Sequence, residues 1–70
     1  TYPQRKTMFE ERKVYMEAEI ARMNRALDML KFKCWYYEQA IQDGSEDRIK
    51  ALIPDHLPKE IQRAYENTHR

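Results

Sequence analysis

The chain has 70 residues, 36% of them charged and 41% hydrophobic, with a net charge of +1. A domain this small buries only about 60% of its unfolded surface, so its own core is thin and a partner is expected to complete it. The balanced charge leaves no basic stripe to serve as a nucleic-acid surface. No apolar run approaches the roughly 18 residues that span a bilayer, and no signal peptide is visible. A single cysteine forms no internal disulfide, which points to a reducing compartment, the cytoplasm. The chain opens on Thr1 instead of methionine and is expected to be a piece of a longer protein.

The first element runs from about Pro3 to Asp43 without a helix breaker. Thr1 suits an N-cap, Pro3 a first helical turn, and Gly44 a terminator just past the end. Such a helix is a rod of about 60 Å, and a lone helix of that length needs an apolar stripe buried against something. The stripe repeats every seven residues. Phe9, Met16, Met23, Leu30 and Tyr37 form one series, and Lys13, Ile20, Leu27, Cys34 and Ile41 the other, interleaved at spacings of four and three. Nine of these ten positions are apolar or aromatic, and Lys13 alone breaks the pattern. That is the signature of a two-stranded coiled coil. In a parallel pairing Lys13 would face its own copy across the seam. In an antiparallel pairing centred on a Met23–Leu27 layer it meets Tyr37, where its stem packs and its ammonium reaches the ring or water. The antiparallel homodimer is therefore the expected state.

KFKCWYYEQA, residues 31–40, places Cys34 and Tyr37 in the seam but Trp35 and Tyr36 on the back of the rod. With Met29 and Phe32 they form a second apolar face, expected to be confined to the last third of the helix. Left in water, such a patch marks an effector-binding or domain-docking surface. Covered, it is simply packing for the tail. Beyond Gly44, Ser45 with Glu46 and Asp47 starts a short helix whose apolar side is Ile49, Leu52 and Ile53, ended by Pro54. A second start at Leu57-Pro58 leads into a helix with Ile61, Ala64 and Tyr65 on one face, to about Asn67. Neither is stable alone, and both are expected to fold back on the aromatic face. The expected architecture is all-α: residues 1–44 a coiled-coil dimerisation helix, residues 45–70 a short helical tail.

Three further side chains draw a chemical reading beside a plainer one. Cys34, near Lys31 and Lys33, has the setting of a thiolate sensor, or is a small seam hydrophobe. His56 and His69 lack the companions of a metal site. No nucleophile–base set, carboxylate pair or phosphate loop suggests an enzyme, a cofactor or a metal.

RKTMFEERKVYMEAEIARMNRAL followed by LDMLKFKCWYYEQAIQDGSE resembles the long helix that follows the winged helix-turn-helix in MerR-family transcriptional regulators, over about residues 4–46. The lysine, two aromatics and acid that end that helix in the family are matched by Lys33, Tyr36, Tyr37 and Glu38. The resemblance implies an antiparallel coil between two subunits. It also implies an upstream DNA-binding head, and an effector, a small molecule, bound near the helix ends. Promoter DNA and RNA polymerase would be engaged only through the full-length parent. The cysteines that metal-sensing members carry near the coil ends are not matched, since Cys34 lies within the seam. Without that context the alternative is a coiled-coil interaction or scaffold module.

Overall fold

The computed structural model describes residues 1–69 and contains three helices: α1, Tyr2–Asp43; α2, Asp47–Leu52; and α3, Lys59–Thr68. The molecule measures 64 × 20 × 14 Å. The long dimension is that of α1, whose 42 residues at about 1.5 Å each account for it.

Both ends of α1 are set by the residues the sequence places there. Thr1 is the N-cap: the Gln4 backbone N–H donates to its Oγ1, and the Thr1 amino group donates to Gln4 Oε1, which closes a capping box. Pro3 lies in the first turn, where its missing N–H removes no helical bond. At the other end Gly44 has φ +72°, and its N–H donates to Ala40 O at 2.9 Å. A Cβ there would find no atom within 4 Å, so the demand for glycine is one of backbone conformation alone.

The left-handed turn at Gly44 sends the chain back. Ser45 Oγ accepts from Asp47 N–H at 3.2 Å as α2 begins. Residues Ile53 to Pro58 form the connection to α3, which starts directly after Pro58. Gln62 ties that connection to α3, since its amide accepts from Leu57 N–H at 3.1 Å and donates to Pro54 O at 2.7 Å. α3 then returns along α1 in the opposite direction. Tyr65 meets Phe32, and two residues later Asn67 donates to Asp28, nearer the middle of the rod.

The expected long helix with short helices packed back on it is therefore present. The core lies entirely in the tail: Ile49 is wholly inaccessible, and Leu57 and Ala64 are buried. No residue of α1 is buried. From Thr1 to Leu27 every residue except Glu19 is exposed. Two thirds of the long helix thus has no cover from its own chain.

Candidate functional site: an open seam beside a helical clasp

The coiled-coil series is laid out along α1 as the heptad spacing requires, because positions three and four apart fall on one side of a helix. Phe9, Met16, Ile20, Met23, Leu27, Leu30, Tyr37 and Ile41 keep between 50% and 82% of their surface in contact with solvent. Lys13 and Cys34 are exposed as well. Arg12 lies over the Phe9 ring at 5.9 Å, a cation–π contact at the outer end of the stripe. Burial of each large seam residue is worth roughly 1.5–3 kcal/mol. A stripe of eight such residues far exceeds the scattered apolar exposure of an ordinary monomer surface.

The second face is partly covered. Phe32, Trp35 and Tyr36 are partly buried, and Met29 remains 38% exposed at the edge. The Phe32 ring packs edge-on against Tyr65 of α3 at 5.1 Å and beside Tyr36 at 5.9 Å. Polar contacts fix the same junction. Tyr36 Oη donates to Glu46 Oε1 at 2.7 Å. Arg48 Nε donates to Asp43 Oδ2 at 2.7 Å, and its Nη2 to Gln39 Oε1 at 2.8 Å. Asn67 donates to Asp28 at the far end of α3. The tail is a clasp gripping the last third of α1 beside the seam, whose residues it leaves exposed.

Within this clasp Tyr36 is perturbed. Its hydrogen bond to the Glu46 carboxylate is the main cause, with desolvation and the Glu46 charge adding to it. The phenol is pushed up to about 12 from 10.0.

α3 and α1 do not close completely against each other. An open groove of about 710 Å³ runs between them. On one wall are the seam residues Leu27, Leu30 and Cys34 with Trp35 beside them; on the other are Ile61 and Ala64 of α3. Lys31 and Glu38 stand along the α1 rim, Glu60 and Arg63 along the α3 rim. Of these four charges only Lys31 has an ion-pair partner among the described residues, Asp28 at a loose 3.9 Å.

The structure thus separates the residues that the sequence singles out. The ten seam positions line one exposed stripe; Phe32 and Tyr36 are held by the clasp, Trp35 lies on the groove wall, and Met29 stays exposed. Cys34 lies on the seam at the edge of the groove. His69 stacks on Tyr65 with ring centres 4.1 Å apart, and its Nδ1 lies 2.8 Å from Tyr65 O. His56 is exposed. No group of three or more His, Cys, Asp or Glu side chains among the described residues could hold a metal ion. No helix among them is long and apolar enough to cross a membrane.

One expectation needs correction. The second apolar strip does not stop at the last third of α1, since Met8 and Tyr15 share its heptad position with Met29 and Tyr36, and Val14 shares that of Trp35. All three are exposed, Val14 at 66%. The seven-residue spacing back from Met29 and Tyr36 carries that signal. An arginine, Arg22, interrupts it midway and hides it from a search for consecutive apolar residues.

No protein-family model matches the chain, and comparison with curated proteins and with solved structures finds no match to it.

Proposed function

We propose that this chain is a homodimerisation unit, an antiparallel two-stranded coiled coil with a helical clasp on each rod, serving as the dimerisation and effector-linked region of a MerR-type transcriptional regulator. The observation that carries the dimer is the division of faces on α1. The chain's own tail covers the aromatic face and leaves the heptad seam open along the whole rod. A seam that the chain does not cover is one that a second copy can cover, and a two-fold pairing uses the same stripe on both copies. The antiparallel order is supported by Lys13, which it takes away from a second Lys13 and places opposite an aromatic ring.

The regulator reading rests on the resemblance of residues 4–46, including Lys33, Tyr36, Tyr37 and Glu38 at the end of the helix. In that role the coil holds two DNA-binding heads at fixed separation, and promoter DNA and RNA polymerase are partners of the parent. The alternative, a coiled-coil interaction module unrelated to transcription, is favoured by one observation. Phe32 and Tyr36 are engaged by the clasp, which leaves only Trp35 of that aromatic set on the open groove.

Two measurements test these readings. Nitroxide labels at Glu10 and Glu38 should give a short distance between unlike sites on two copies; short distances between like sites would mean a parallel coil. Promoter binding by the full-length protein, present or absent in a footprint, decides between regulator and scaffold.

A further inference from the structure

We propose that the groove between α1 and α3 seats the N-terminal half of a second copy of this chain, with that copy's Lys13 held between Glu38 and Glu60. The proposal deepens the dimer reading and rests on its antiparallel order.

Continuity comes first. Leu27, Leu30 and Cys34 are seam residues and also one wall of the groove. Whatever lies on the seam lies along the groove, and α3 forms a raised bank beside it. A partner helix on the seam therefore touches two helices of this chain.

Register comes second. In the antiparallel order Lys13 of the second copy stands at the level of Tyr37, beside Glu38. α3 runs opposite to α1, with Asn67 at Asp28 and Tyr65 at Phe32, so its first turn lies toward the Glu38 end. Glu60, in that turn, is on the rim there. Two carboxylates without an ion-pair partner among the described residues thus face the one charged residue of the seam, which also lacks one there. One turn further along the partner, Glu17 comes to the level of Lys31 and Arg63, again opposite in sign. Glu10, which would oppose Glu38, is paired within its own helix to Lys6 at 3.4 Å.

Shape comes third. Lys13, Val14 and Glu17 occupy adjoining positions on one side of a helix. Val14, exposed at 66% and outside the heptad seam, then projects toward Ile61, Ala64 and Trp35. The pairing gives one account of three features: a lysine in an apolar seam, an exposed valine off it, and rim carboxylates Glu38 and Glu60 with no ion-pair partner among the described residues.

The test is a charge-reversal cycle on the whole chain, read as the dimer Kd by sedimentation equilibrium, with circular dichroism confirming that each variant is helical. Glu60→Lys should weaken the dimer roughly fivefold, since each exposed pair is worth under about 1 kcal/mol and the two-fold symmetry presents it twice. Lys13→Glu should weaken it as well. The double variant should lose less than the product of the two single losses, because the reversed pair attracts again. An unchanged Kd for Glu60→Lys, or strictly multiplicative losses, in a dimer that the Glu10 and Glu38 labels show to be antiparallel, overturns the groove contact and leaves the dimer standing. A parallel dimer or a monomer overturns both.

Discussion

Single side chains divide into those that stitch the clasp and those that stand exposed on the seam. Tyr36 is of the first kind. Its folded pKa is raised, so the folded chain holds the phenolic proton more tightly than the unfolded chain does. The stabilisation is fully present below about pH 10 and is lost as pH rises from there toward about 12. Phenolate absorbance during an alkaline titration should show one of the five tyrosines ionising last, and Tyr36→Phe should remove that late step. A late step that persists in the variant would assign it elsewhere. Leu27 is of the second kind, since it stands mid-seam and on the groove wall while half its surface is free. Leu27→Asp would place a charge in the central layer of a dimer, a burial that costs several kcal/mol when nothing pairs it. Sedimentation of this variant should show monomer; a well-folded dimer would mean that another stripe is the interface.

Among the elements, α1 was the most legible in the sequence and the contacts of α3 the least. The capping residues Thr1 and Gly44, the absence of breakers between them and the seven-residue repeat are local signals, and each acts within a turn or two of its own position. The tail's destination followed from a mutual need, since Phe32 and Trp35 required cover and Ile49, Leu52 and Tyr65 required burial. The groove was not legible. It depends on the angle at which α3 lies on α1, and the angle is set by Tyr65 on Phe32 and Asn67 on Asp28, contacts between residues far apart in sequence. The reversal at Gly44 can be tested directly. Gly44→Ala keeps the space but forces a side chain into φ +72°, a cost of about 1–2 kcal/mol. Thermal unfolding followed by Trp35 fluorescence should report that loss at the clasp, whereas an unchanged midpoint would mean that the turn tolerates a Cβ. Deleting residues 45–70 should red-shift Trp35 emission, because α3 supplies one wall of its surroundings. Unchanged emission would show that Trp35 owes its cover to something other than the tail.

For the whole molecule, the uneven distribution of cover along α1 sets how the chain behaves on dilution. From Thr1 to Leu27 the helix has backbone hydrogen bonds, a capping box and two ion pairs, Lys6 with Glu10 at 3.4 Å and Arg22 with Glu19 at 2.7 Å. Exposed pairs of that kind contribute a few tenths of a kcal/mol each. Isolated helices hold together mainly when packing buries one of their faces. The final third differs, since the clasp grips it through Phe32, Tyr36, Asp28 and Asp43. In a dimer the exposed N-terminal half gains the seam of the second copy, and its helicity becomes linked to association by mass action. Helical circular dichroism should therefore fall with concentration over the same range in which the sedimentation coefficient falls from dimer to monomer. Hydrogen exchange should place the loss in residues 2–27 and leave residues 28–43 the better protected. A monomer that keeps its full helical signal at the lowest concentration measured would mean that α1 stands without a partner, and the open seam would then need another explanation than a second copy.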